Sequence, residues 1–304
     1  MKAPAFDYIK PRTLGEVFKL QAEFGDEARL LAGGQTLLAT LNMRLSEPAL
    51  LIDINGIAAL KGIALESTAQ GQVLRLGALV THSEIEASDL VALHAPLLTQ
   101  AAPHIAHRAI RNRGTWGGSI AYADPAAEWP VCLAALDGVV VLRSAQGERR
   151  VAARDFFLDL YSTALLEGEI ITACELPVRR SSELFAFDEL ARRHGDYAIV
   201  GLAVAADRQA HGVGLDRLRL AFLGLGTTPI RARRTEALFA ERPLTTALLE
   251  ECIASLYAEL MPLADLTNSA ATKRHLACVL ARRSLGSMLT ELSTPSFSAQ
   301  TSQG

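Results

Sequence analysis

The 304-residue sequence predicts an α+β protein built from more than one lobe. Two patterns carry that expectation. Near the N-terminus a short apolar run, a Gly-Gly turn, a helical stripe and a second apolar run follow one another between Ala28 and Ile54. Beyond Pro177, three successive strand-like runs are followed by three amphipathic helices, so strands and helices segregate instead of alternating. Half of the residues are hydrophobic, enough to bury a substantial core.

Each element follows from local pattern. Thr13 with Glu16 reads as a capping box, Leu14, Val17, Phe18 and Leu20 form a helical stripe, and Gly25 ends it. "ARLLA" is a buried strand, "GGQ" a turn, "TLLATLNMRL" a helix stopped by Pro48, and "ALLIDI" a strand. "QVLRLGALV" is a strand, and Ser83 with Glu86 offers a cap for a short helix after it. "PLLTQAAPHIAHRAI" reads as helix kinked at Pro103, and "WPVCLAAL" as helix. "GVVVLRSAQGERRVAARDF" is a hairpin around Gly147, and "GEIITACELPV" a strand that stops at Pro177. "LFAFDELARR", "YAIVGLAVAAD" and "LDRLRLAFLGLG" then predict a three-stranded antiparallel sheet. "PIRARRTEALFA", "LTTALLEECIASLYAELM" and "AATKRHLACVLARRSLGSMLTEL" predict its helices. The polar segment from Ser293 predicts a disordered tail.

Composition excludes several classes of function. A net charge of −3 gives no basic surplus for nucleic acid. No run of about 20 apolar residues predicts a membrane span, and "MKAPAFDYIKPRT" lacks the apolar core of a signal peptide, so a cytoplasmic protein is expected. The cysteines at 132, 174, 252 and 278 are too dispersed for a local zinc or iron–sulfur site and read as reduced structural thiols. Any redox centre of this chain must therefore be supplied from outside its side chains.

Two small-residue loops carry the candidate chemistry. In "AGGQTLL", Gly33 and Gly34 leave a strand and open a helix. They either turn amides toward an anion, helped by Gln35, Thr36 and the helix dipole, or make an ordinary strand-to-helix turn. No lysine follows as in a Walker loop, and the Gly-x-Gly-x-x-Gly fingerprint is missing. In "GTWGGSIAYADPAAE", Gly114, Gly117 and Gly118 expose backbone, Thr115 and Ser119 offer hydroxyls, and Asp124 and Glu128 offer acceptors for ribose hydroxyls or an adenine amine. Asp124 reads equally well as a cap for the helix after Pro125. "GGSIA" misses the Gly-x-Ser-x-Gly elbow because Ala121 replaces its last glycine. Upstream, His104 and His107 lack the further ligands that a metal needs. Arg108, Arg111 and Arg113 read as a solvated basic face more readily than as a phosphate guide.

Together, "AGGQTLLATLNMRL", "LRLGALVTHSEIE", "IRNRGTWGGSIAYADPAAEWP", "GEIITACELPV" and "ARRHGDYAIVGLAVA" resemble, in this order, the flavin-binding medium subunit of the molybdenum hydroxylases. That group includes the carbon monoxide dehydrogenase and xanthine dehydrogenase flavoproteins. The resemblance covers about residues 3 to 285 and implies a two-lobed FAD-binding domain of the vanillyl-alcohol-oxidase-like type over residues 1–176. Its sub-lobes are expected at about 1–55 and 56–176. A C-terminal flavoprotein domain over 177–290 and a tail over 291–304 follow. It also implies the site. The matches to Ala32, Gly33, Gly34, Gln35 and Thr36, and to Thr115, Gly117, Gly118 and Ser119, clasp the FAD pyrophosphate, and Leu37 also belongs to the cofactor site. Gly77 and Ala78 lie along the same groove, and Asp124 and Glu128 near the adenosine end. Ile171 contacts the flavin. Tyr197 is either beside the isoalloxazine or a sheet-core tyrosine.

The sequence departs from the family pattern in places. Glu189 stands where several relatives have a lysine, which bears on how a flavin's potential is set. Trp116 replaces a smaller apolar residue, and either packs under the adenine or fills the lobe interface. The insert that binds a four-iron cluster in some relatives is absent.

The resemblance implies an electron-transfer subunit of a heterotrimer, or of its dimer. A small partner carries 2Fe-2S clusters and a large partner the molybdenum cofactor. Electrons leave for NAD⁺, oxygen or another acceptor, and no catalytic side chain is required in this chain. The alternative is a structural or assembly subunit with a decayed flavin site, against which the intact glycines at 33, 34, 117 and 118 argue.

Overall fold

A computed structural model describes residues 2–69, 71–210 and 213–293. The tail expected over 291–304 falls outside the described residues, apart from 291–293, which are helical and end the last helix.

The chain opens with strand β1 (Asp7–Ile9), helix α1 (Leu14–Phe24), strand β2 (Ala28–Leu31), helix α2 (Leu37–Asn42) and strand β3 (Leu50–Asp53). These strands form a parallel sheet in the order β1-β3-β2. Parallel pairing forces each connection to cross over, which is why α1 and α2 lie between strands. β3 is buried along its length and centres a small core with Val17, Ile57 and Leu79. Thr13 caps α1 by accepting from the Glu16 amide, but the Glu16 carboxylate bonds the Arg12 amide, so the capping box is half made.

The second layer is a five-stranded antiparallel sheet in the order β4-β5-β10-β6-β7. Its strands are β4 (Ile63–Thr68), β5 (Gly71–Gly77), β6 (Val139–Ser144), β7 (Gly147–Ala152) and β10 (Ile170–Pro177). Between β5 and β6 run the short helices α3 (His82–Glu86), α4 (Asp89–His94), α5 (Pro96–Ala101), α6 (Arg108–Arg111), α7 (Trp116–Tyr122) and α8 (Glu128–Ala135). α9 (Ala153–Phe156) and a small hairpin, β8 (Phe157–Asp159) with β9 (Ser162–Thr163), precede β10. The capping box of α3 uses Thr81 with Glu84, two residues before the expected Ser83. Thr81 is fixed there by a bridge to Thr115 across the sheet edge, a contact that no local pattern announces.

The last lobe packs α10 (Arg233–Glu236), α11 (Thr246–Glu259) and α12 (Ala270–Ser293) with strands β11 (Glu183–Ala191), β12 (Ala198–Arg208) and β13 (Leu215–Leu223). The sheet has four strands, not the expected three. Ile230–Arg231, expected to begin a helix, is β14 and pairs with Phe222 and Ala221. Two residues are too short to show a period of two, and their pairing with β13 holds them extended before the helix starts at Arg233.

Asp207 ties this sheet together. Its side chain is buried and accepts hydrogen bonds from Arg180, Arg217 and Ser182. Burial opposes its charge, but those donors outweigh burial and hold the carboxyl down at about 2. A carboxyl lowered on folding stabilises above its unfolded value and loses that stabilisation as pH falls through the folded value. Asp207→Asn is therefore expected to lower the urea midpoint at pH 7 by the equivalent of about 1–3 kcal/mol. The gap from wild type should be widest above about pH 4 and close as the pH approaches 2, read by fluorescence-monitored unfolding.

Candidate functional site

The two glycine loops meet. Gly33, after β2, lies so close to the turn before α7 that a Cβ there would stand 2.2 Å from the Arg113 carbonyl oxygen and 2.9 Å from Cα of Gly114. A Cβ on Gly117 would stand 2.5 Å from that of Ala78. Both glycines are needed for close approach of backbone to backbone, which draws the first lobe, the loop after β5 and α7 together. The crossing roofs a cavity of about 580 Å³.

The loops present different groups to that cavity. Among the described residues nothing accepts a hydrogen bond from the amides of Gly33, Gly34, Gln35 or Thr36. The Gln35 side chain donates back to the Gly33 carbonyl at 3.0 Å and stiffens the turn. These consecutive amides, at the head of α2, are donors without partners, the condition of an anion cradle. The second loop is already committed. The amides of Trp116 and Gly117 bond the carbonyls of Val80 and Ala78, and the Gly118 amide bonds Oγ1 of Thr115. What this loop has left to donate is the Thr115 amide, for which no acceptor occurs among the described residues, and the hydroxyls of Thr115 and Ser119.

All the site residues expected from sequence line the cavity except Gly77 and Glu189. A Cβ on Gly77 would meet the Leu60 carbonyl, so this glycine serves packing. Glu189 lies behind the wall, its side chain 5% exposed. Tyr197 is no sheet-core tyrosine: it is 72% exposed, at the rim. Asp124 does not cap α8, whose N-cap is Ala127. It accepts from the Ala126 amide at 2.9 Å in the preceding turn, and burial pushes its carboxyl up. Trp116 lies outside the cavity, fully buried against Trp129 at 5.3 Å between ring centroids. Arg111 is no part of a solvated face. It is buried, bonded to Glu86 and to the carbonyls of Ile105 and Ala106.

The structure adds residues that the sequence reading passed over. His82 lines the cavity and is buried; its Nδ1 accepts from the Trp129 indole at 2.9 Å. Burial, and then the nearby Arg111 charge, lower it to about 4, so it is neutral with its proton on Nε2. Tyr122 also lines the cavity and packs on Tyr161 at 4.9 Å. The "TH" that opens α3 was the available signal for His82, but only the fold brings Trp129 to it.

Charge gathers at one end. The Tyr197 phenol is raised by burial and then by the charges of Asp124, Tyr122 and Glu128, so these four share one region. Glu128, partly buried in the cavity wall, is pushed up to about 8 by burial and next by the charge of Glu189. The four cysteines are free and buried, and no cluster of metal-ligating side chains occurs among the described residues. No helix of the described residues is long and apolar enough to cross a membrane.

A flavin dinucleotide fits this donor set: unpartnered amides for a diphosphate, hydroxyls opposite, and aromatic and apolar walls for rings. The comparisons with known proteins agree. Residues 4–179 match the FAD binding domain in molybdopterin dehydrogenase, and residues 185–288 the CO dehydrogenase flavoprotein C-terminal domain. The chain thus belongs to the FAD-binding medium subunits of the molybdenum hydroxylases, an oxidoreductase family. It is 37% identical to the alpha subunit of the 6-hydroxypseudooxynicotine dehydrogenase complex of Paenarthrobacter nicotinovorans, over 95% of this chain and 96% of that one. It is 32% identical to the carbon monoxide dehydrogenase medium chain of Hydrogenophaga pseudoflava, over 94% and 97%. Among solved structures, carbon monoxide dehydrogenase from the same organism superposes with a TM-score of 0.90 at 33% identity, over 95% and 99% of the two chains. Quinoline 2-oxidoreductase from Pseudomonas putida 86 gives 0.89 at 33%, over 97% and 100%.

A carboxyl raised on folding stabilises fully below its unfolded value, and that stabilisation is lost as pH rises through the folded value. The Glu128 contribution is therefore expected to decline between about pH 4.5 and 8. Thermal unfolding of the flavin-free chain across that range should show a wild-type slope that flattens in Glu128→Gln. An identical slope in the variant would contradict the burial of this carboxyl.

Proposed function

We propose that the chain is the electron-transfer subunit of a molybdenum-containing hydroxylase or dehydrogenase. It holds FAD and works beside a small subunit with 2Fe-2S clusters and a large subunit with the molybdenum cofactor, in the cytoplasm. The row of unpartnered amides from Gly33 to Thr36, crossed by the Thr115 loop, carries this reading. When bound, the cofactor supplies the redox chemistry, taking electrons from the partner's cluster and giving them to NAD⁺, oxygen or another acceptor.

The chain's own residues bind and orient. The amides of residues 33–36 and the hydroxyls of Thr115 and Ser119 receive the diphosphate, and Ala32, Leu37 and Ala78 complete the groove. His82, neutral, offers Nε2–H at the same crossing. Asp124, Glu128 and Tyr197 share one end of the cavity, which cannot hold both the adenosine and the isoalloxazine of an extended dinucleotide. We place the isoalloxazine there, between Ile171 and Tyr197. A protonated Glu128 donates, which suits a ring carbonyl, whereas the adenine amine needs an acceptor. The adenosine then lies at the other end, unlike the placement that the family resemblance implied.

The relatives with higher identity serve complexes named for nicotine derivatives and caffeine, at 37–41%, against 32% for carbon monoxide or glyceraldehyde. This supports a nitrogen heteroaromatic as the substrate of the complex.

Flavin fluorescence during titration of FAD into the flavin-free chain tests the site. Gly33→Ala, folded by circular dichroism, is expected to weaken binding at least about tenfold, or about 1.4 kcal/mol. Unchanged affinity would contradict the crossing as the binding element. Purification of the native complex should yield flavin, iron and molybdenum together; a colourless solitary chain would favour the structural-subunit alternative.

A further inference from the structure

The unpartnered amides of the first loop are held in place partly from outside that loop. β2 and β3 are parallel neighbours with Leu31 opposite Asp53, so the turn after β3 lies beside the loop after β2. Asp53 caps that turn, its Oδ1 accepting from the Asn55 amide at 2.9 Å and from Asn55 Nδ2 at 2.7 Å. The same Nδ2 donates to the Ala32 carbonyl at 2.8 Å. A side-chain amide turned the other way would set its oxygen against two acceptor oxygens, so its orientation is fixed. Asp53 is buried, and its Oδ2 accepts from the Tyr8 phenol of β1 and stands 3.4 Å from Nζ of Lys10. Neither Asp53 nor Asn55 lines the cavity.

In a trans peptide the C=O and the following N–H point to opposite sides. A donor on the Ala32 carbonyl therefore sets the direction of the Gly33 N–H, the first amide of the row. The bond from Gln35 Nε2 to the Gly33 carbonyl, at 3.0 Å, does the same for the Gly34 N–H. The Leu38 amide, 3.1 Å from the Gly34 carbonyl, does so for that of Gln35. Of these three clamps only the first comes from a residue distant in the chain.

We propose that Asn55, aimed by Asp53, is a positioning residue for the cofactor: it fixes the Ala32–Gly33 peptide so that the Gly33 N–H is set for a phosphate before the ligand arrives. A donor on the carbonyl also polarises the peptide and strengthens its N–H as a donor. Burial opposes the charge of Asp53, but the bonds from Tyr8 and Asn55 outweigh it and lower the carboxyl, so Asn55 is aimed by a charge-assisted bond. Asn55 touches no ligand, and its effect is felt only through the diphosphate. The inference rests on the flavin reading, since it needs an anion on that amide.

Calorimetric titration of the flavin-free chain with FAD and with riboflavin tests this role. Wild type should prefer FAD; equal affinities would remove the flavin reading itself, and this inference with it. Asn55→Leu, folded by circular dichroism, is expected to bind FAD at least about fivefold more weakly, with riboflavin binding unchanged. Asn55→Ser is the milder second variant. It keeps a hydroxyl for Asp53 but is too short to reach Ala32 as well, and it should lose FAD affinity to the same extent. Unchanged FAD affinity in a folded variant, beside a wild-type preference for FAD, would overturn the positioning role and leave the flavin reading standing. An equal fall for FAD and riboflavin would overturn it too, because that pattern marks general damage to the site.

Discussion

Everything at this site depends on one steric constraint, the contact of two backbones where Gly33 meets the Arg113 carbonyl. Any side chain at residue 33 would separate the first lobe from the turn before α7. With the contact made, the loop after β2 cannot fold back to satisfy its own amides. They are left at a shared cavity, in a turn stiffened by the Gln35 side chain and by the bond from the Asn55 side chain to the Ala32 carbonyl. Binding strength in such an arrangement comes from donors that are already fixed, so little ordering is needed when an anion arrives.

The two loops divide the work. The first offers four amides and the second one amide, that of Thr115, with two hydroxyls, because the Trp116 and Gly117 amides hold the loop after β5. That division places the strongest anion grip on the small parallel sheet and the shape-determining contacts on the helices before β6. The third lobe contributes at the rim, where Tyr197 and Gly195 line the cavity.

Much of this was legible in sequence, because the glycine loops, capping residues and strand runs are local signals. Both loops were visible, and nearly every residue expected at the site lines one cavity. The reason for the glycines was not. Sequence suggests that they expose amides, whereas Gly33 and Gly117 serve close packing and most of the free amides belong to the first loop. The Trp129–His82 bond and the burial of Arg111 join residues that are distant in the chain or set by tertiary packing, and periodicity carries no trace of them. β14 escaped because a two-residue strand has no period.

The central claim is that amides 33–36 grip a diphosphate. The most direct measurement compares FAD, FMN and riboflavin binding to the flavin-free chain by calorimetry at fixed salt. The account expects FAD to bind best and riboflavin, with no phosphate, at least about 100-fold more weakly, or about 2.7 kcal/mol. Equal affinity for riboflavin and FAD would show that the cradle holds no phosphate.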